Sequence, residues 1–196
     1  YVGERLRGTP ILALDICEHA YFLDYGFDKL SVDVRSVVTI GSFDGVHSGH
    51  KVLLHSLKQM AERLGAESVV VTFDPHPRIA MGRAEGMGLL TTIEERALLL
   101  EREGVDRMVV VRFDEEFRSQ SYDTFVRESL VARLGMVGMV VGYNHRLGRG
   151  NEGNYESLLP LAAECGFALE CVGQHLIDGS KISSTVVREA MSRGDM

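Results

Sequence analysis

The sequence predicts a three-layer α/β/α domain built around a five-stranded, mostly parallel sheet. From Val37 onward, short β-branched apolar runs alternate with helix-length amphipathic stretches, and most of those stretches stop at a glycine. The composition, 45% hydrophobic and 25% charged over 196 residues, is that of an ordinary globular domain. Strands are expected at 37–40, 68–73, 107–113, 137–142 and 168–172.

Between the first two strands, Leu53, Leu57, Met60 and Leu64 recur at helical spacing over 50–64, and Gly65 supplies a stop. Thr92 and Glu95 have the spacing of a capping box, opening a helix that ends at Gly104. Ser121 opens another through Leu134, with Gly135 behind it, and Ser183 or Ser184 caps a last helix closed by Gly194. Residues 1–36 break this rhythm and carry no assigned role. They are expected to pack on one domain spanning 37–196, with no boundary inside it.

A formal net charge of -7 argues against a surface that grips nucleic acid, since such surfaces carry a clustered Lys/Arg excess. Cys17, Cys165 and Cys171 are odd in number and lack zinc-ligand spacing, so neither a disulfide framework nor a metal site is expected. No apolar run approaches the roughly 20 residues that cross a bilayer, and the N-terminus lacks the order of a secretory signal. These features predict a soluble, cytoplasmic protein with no membrane partner. His19, His55 and His175 read as packing or solvated residues, and the eight methionines as core filling. Asp114 to Glu116 reads most simply as a solvated acidic turn, the other reading being a carboxylate that helps hold a magnesium ion near phosphates.

The chemistry concentrates in segment 41–50, GSFDGVHSGH, where the first strand of the pattern hands over to its first helix. Ligands of open parallel sheets bind beyond the C-terminal strand ends, and helix N-termini attract anions. Gly41, Gly45 and Gly49 allow the backbone to approach a phosphate, and His47 and His50, three apart, can point to one locus. Two imidazole donors aimed at the equatorial oxygens would stabilise displacement at phosphorus without a covalent intermediate. A second cluster, Lys181 to Thr185 followed by Arg188, gathers hydroxyls, amides and a guanidinium at another helix start, suited to a triphosphate tail. Taken alone it reads first as an ordinary serine cap with an exposed arginine, and its weight comes from standing beside the histidine segment.

Thr72 to Pro77, TFDPHP, leaves the second strand at the same sheet edge, where Phe73, His76 and Pro77 either wall an acceptor pocket or form a stiff exit. Segment 142–153 combines Asn144, His145 and Arg146 with glycines and reads as a contact or mobile loop.

Four segments in order resemble one family, the bacterial FAD synthetases of the RibF type, in particular their N-terminal FMN adenylyltransferase module within the nucleotidylyltransferase superfamily. Segment 41–50 is similar to its G-x-F-D-G-x-H-x-G-H, 72–77 to its T-F-x-P-H-P, 89–94 to its L-L-T-T-x-E and 182–188 to its I-S-S-T-x-x-R. The resemblance implies a Rossmann-like fold and transfer of AMP from ATP to FMN, giving FAD and pyrophosphate. His47, His50, Ser184, Thr185 and Arg188 are then the catalytic group, while Gly41, Phe43, Asp44, Gly49, Asn144 and Ser183 hold ATP. Phe73, His76 and Pro77 border the flavin, and Mg2+ accompanies ATP with no protein residue assigned as its ligand.

Where many members carry N-F-x-F-G, this chain has His145 and Leu147. The family also implies a riboflavin kinase module, which is not expected in this chain. Neighbouring readings keep the mechanism with phosphopantetheine or phosphocholine as acceptor, or keep the fold as a non-catalytic nucleotide or flavin binder. A dinucleotide oxidoreductase is disfavoured because no GxGxxG follows Ile40.

Overall fold

The computed structural model describes residues 22–27, 34–83, 87–174, 176–177, 180–181 and 183–194. In chain order these form β1 (Leu23–Tyr25), β2 (Ser36–Ile40), α1 (Ser48–Leu64), β3 (Glu67–Asp74), α2 (Pro77–Ala80), α3 (Ile93–Arg102), β4 (Arg107–Arg112) and α4 (Glu115–Ser119). Next, α5 (Tyr122–Thr124), a π-type stretch (Phe125–Val131) and α6 (Ala132–Leu134) run on as one continuous helix. β5 (Met136–Gly142), α7 (Tyr155–Cys165), β6 (Ala168–Val172), the short pair β7 (Leu176–Ile177) and β8 (Ser180–Lys181), and α8 (Ser184–Arg193) complete the chain.

The main sheet has six strands in the order β1-β4-β3-β2-β5-β6, and every pairing in it is parallel. Five of them are the expected strands, with ends moved by one residue at most. The sixth, β1, corrects the five-stranded expectation. Among the described residues it pairs with β4 alone, matching Leu23 to Met108, and three residues at a sheet edge are too few to set up a period in the sequence. Of the remaining N-terminal residues, 1–21 and 28–33, including the apolar run 11–16, Cys17 and His19, lie outside the described residues, as do His175 and Ile182.

Alternation along the strands divides the core between the two faces of the sheet. Val37, Val70, Met108, Val110 and Val140 meet Leu54, Leu57, Met60 and Ala61 of α1 and Ala97 and Leu100 of α3. Val38, Val69, Val71, Val109, Met139 and Val141 meet Phe125, Val126 and Leu130 of the central helix and Leu158 and Leu161 of α7. Full burial of a side chain such as Leu57, 0% exposed, stabilises the fold by about 1.5–3 kcal/mol. In α1 the buried stripe runs through Leu54 where Leu53 was expected, and Leu53 and Leu64 pack only at its margin. Gly138 lets α1 lie close on β5, since a Cβ there would stand 2.8 Å from the Met60 sulfur.

The topology fixes where a ligand can enter. β3 and β4 are added on one side of β2, whereas β5 and β6 are added on the other, so the order reverses between β2 and β5. The C-terminal ends of those two strands flank the switch point at which open α/β sheets take their ligands. Among the described residues no helix is long and apolar enough to cross a membrane.

Candidate active site

The loop leaving β2 is compressed into an unusual backbone. Phe43, Gly45 and Val46 all take positive φ, at 48°, 80° and 37°, a conformation that costs a side-chain-bearing residue about 1–3 kcal/mol and persists only where neighbours enforce it. Enforcement comes from Asp44, which is 1% exposed. Its carboxylate accepts from the Leu90 amide (3.0 Å), the Thr91 amide (2.9 Å) and the Thr91 hydroxyl (3.1 Å), and it pairs with the Arg188 guanidinium. Gly45 donates its amide to Thr91 Oγ1 at 3.2 Å, and a Cβ on Gly45 would meet Leu90 Cδ1 at 2.7 Å. Burial alone pushes the Asp44 carboxyl up, but the amides of Leu90 and Thr91, Arg188 and the Thr91 hydroxyl outweigh it and hold it below its ordinary range.

The loop delivers both histidines to the head of α1. His47 is the N-cap, and its Nδ1 accepts the His50 amide at 3.4 Å. Accepting through Nδ1 leaves the ring hydrogen of neutral His47 on Nε2. The two rings stack 3.7 Å apart at 17°, with Phe43 beside His50 at 4.9 Å. Burial, then the neighbouring His47, with a smaller contribution from Arg96, push His50 down to about 3 against the pull of Asp44. Burial likewise lowers His47. Both rings are therefore neutral at pH 7, where each carries one N–H to donate.

The head of α8 is docked on this loop. Ser183 caps the helix by accepting the Val186 amide, and Ser184 Oγ donates to the Asp44 carbonyl at 2.9 Å. Arg188, 16% exposed, donates Nε to the Gly88 carbonyl at 2.8 Å while its Nη2 meets Asp44. His47, Gly49, His50, Ser183, Ser184, Thr185 and Arg188 consequently line one cavity of about 630 Å³. The two helix heads singled out in the sequence open on the same space.

A second cavity of about 770 Å³ shares Ser42, His50, Pro77 and Asn144 with the first. Its wall is aromatic: Phe73, Phe113 and Phe117 have centroids 5.3–5.6 Å apart. Gly41, Phe43 and Asn144 line it, Asn144 facing both cavities. Phe73 sits in the second cavity and Pro77 borders both, but His76 opens on the first, where its Nδ1 accepts the Arg78 amide at 3.2 Å. His145 lines the second cavity with its Nε2 sealed and unpartnered among the described residues, and burial beside Arg146 takes it down to about 4. Leu147, the other departure from the family pattern, is buried and bonded to Gly153 in both directions.

Three contributors escaped sequence reasoning. Arg96 is 1% exposed, and its place between Ile93 and Leu100 on the inward face of α3 was the available signal. Phe113 and Phe117, four apart, were the signal for the aromatic wall. Asp114 caps α4 and Glu115 pairs with Arg118, and among the described residues no group of three or more His, Cys, Asp or Glu is assembled that could hold a metal ion.

The sequence profile of the FAD synthetase family matches residues 29–186. A bifunctional riboflavin kinase/FMN adenylyltransferase of Listeria monocytogenes is 35% identical over 165 residues, 84% of this chain and 52% of the relative. The protein of that description from Escherichia coli K12 is 34% identical over 156 residues, 80% of this chain and 50% of the relative. The chain thus spans about half the length of these curated relatives. Among solved structures, one described as a macrolide-efflux protein from Streptococcus pneumoniae superposes with a TM-score of 0.79 at 25% identity, over 89% of this chain and 57% of that one. By the span of the profile match and the order of its four motifs, the chain belongs to the FAD synthetase family.

Proposed function

We propose that this chain is an FMN adenylyltransferase, moving AMP from ATP to FMN with release of pyrophosphate. One observation carries the proposal: the heads of α1 and α8 open on one cavity that adjoins an aromatic one. A triphosphate fits the first, with its many short donors, and a flavin ring fits against the phenylalanines of the second. A phosphate oxygen of FMN attacks the α phosphorus of ATP. The new P–O bond forms as the bond to the bridging oxygen of the β phosphate breaks, and that oxygen keeps the electron pair in pyrophosphate.

Neutral His47 and His50 donate N–H to oxygens on which charge builds, and Ser183, Ser184 and Thr185 hold the departing phosphates. Arg188 closes the site from α8. The protein supplies position and fixed dipoles and no nucleophile. Mg2+ enters on the phosphate oxygens of ATP as part of the substrate, and the reaction belongs in the cytoplasm. Adenylyl transfer alone is assigned to these residues; riboflavin phosphorylation is not.

Purified protein incubated with ATP, Mg2+ and FMN is expected to release FAD and pyrophosphate in equal amounts. Phosphopantetheine and phosphocholine in parallel incubations should give nothing. Pyrophosphate released with either of those, and none with FMN, would move the acceptor elsewhere and end the proposal.

A further inference from the structure

Arg96 occupies a place where a helix ordinarily turns an apolar side chain inward. Its guanidinium is 1% exposed, and burying such a cation carries a large desolvation cost before its partners are counted. A well-packed apolar side chain of that volume would serve stability as well or better, so stability alone does not explain the arginine. Its bonds do suggest a reason. Nη1 donates to Thr72 Oγ1 at 3.2 Å, and Nη2 donates to the Thr91 carbonyl at 3.4 Å while standing 3.8 Å from Asp44 Oδ1.

Each partner hands the restraint on. Thr72 Oγ1 in turn donates to the Ser42 carbonyl at 3.2 Å, tying β3 to the second residue of the histidine loop. Thr91 donates to Asp44, tying the segment before α3 to the middle of that loop. One fork thus joins the loop to two neighbouring segments, and Arg96 itself lines neither cavity.

We propose that Arg96 is a positioning residue for nucleotidyl transfer: its buried guanidinium locks the 41–50 loop to β3 and to the segment before α3, so that His47 and His50 stay stacked and face the polyphosphate. The kinetic half of this rests on the adenylyltransferase reading; the structural half does not. Lysine at 96 keeps the charge but is a point donor that cannot span Thr72 and Thr91 as the planar fork does.

The test compares wild type, Arg96→Lys and Thr72→Val, the latter leaving the Arg96–Asp44 pair in place. Ring resonances of the histidines are recorded by NMR without substrates, and steady-state FAD formation is measured well below the unfolding temperature of each variant. The expected result is that His47 and His50 signals move while those of exposed His55 do not. kcat per folded molecule is expected to fall roughly 10- to 100-fold, the scale of a small misplacement of reacting groups, with the ATP KM changing far less. If Arg96→Lys does not fold, Thr72→Val decides alone. Unmoved His47 and His50 signals, or full kcat in a folded variant, would overturn the proposal. A wild type that makes no FAD would sink the adenylyltransferase reading instead and leave the resonances to decide the structural half.

Discussion

Replacing Asp44 by asparagine removes one charge from the most heavily bonded carboxylate among the described residues. Asparagine keeps the shape and one acceptor oxygen, so part of the bonding from Leu90 and Thr91 survives. The cations do not fare alike. Arg188, 16% exposed, can turn toward water, but Arg96, 1% exposed and 3.8 Å from the carboxylate, cannot. At that separation and an effective dielectric of about 20, Coulomb's law gives an attraction of about 4 kcal/mol. Breaking a buried pair from one side typically destabilises by 3–5 kcal/mol. Asp44→Asn is therefore expected to lose about 3–5 kcal/mol in urea unfolding, and about 6–20 °C in Tm for a chain of this size. The double variant Asp44→Asn, Arg96→Met should lose clearly less than the sum of the two single changes, because the orphaned cation goes with its partner. A loss below about 1 kcal/mol for Asp44→Asn, or strict additivity in the double variant, would refute the reading of Asp44 as the buried hub.

Two further substitutions probe the cavities. His50→Ala should lower turnover roughly 10²- to 10³-fold, the scale of one preorganised oxyanion donor, and should also flatten the acid limb of the stability profile. His50 is held at about 3 in the fold against about 6.5 unfolded, so the unfolded chain binds its proton first. Stability from this group is complete above pH 6.5 and drains away as pH falls toward 3, at up to about 1.4 kcal/mol per pH unit. Equal slopes for wild type and variant between pH 6 and 4 would contradict the buried neutral ring. Phe117→Ala should raise the FMN KM about tenfold, the worth of one aromatic contact, and leave the ATP KM in place. A shift confined to ATP would place the flavin elsewhere.

The sequence made the edge that carries the candidate site legible because its signals are local and strong. β2, β3 and β5 each carry a run of mostly β-branched apolar residues, and the serine, threonine and glycine at the helix ends act within one turn of themselves. β1 was not legible, since its three residues owe their strand geometry to β4 and to no pattern of their own. Asp44 was legible as a motif letter, but its burial was not, because the amides of Leu90 and Thr91 that satisfy it stand 46 and 47 residues away. His76 shares a motif with Phe73 and Pro77, yet it caps the turn into α2 and lines the cavity at the heads of α1 and α8. Such separations within one short loop depend on backbone direction, which residue types alone do not encode.

Convergence of two helix heads on a single ATP is tested most directly by a crystal structure of the protein with a non-hydrolysable ATP analogue, Mg2+ and FMN. Phosphate oxygens are expected within hydrogen-bonding distance of the His47 and His50 rings and also of Ser184 and Thr185, with the flavin against Phe73 and Phe117. A triphosphate that touches the head of α1 or of α8 but not both would contradict the account.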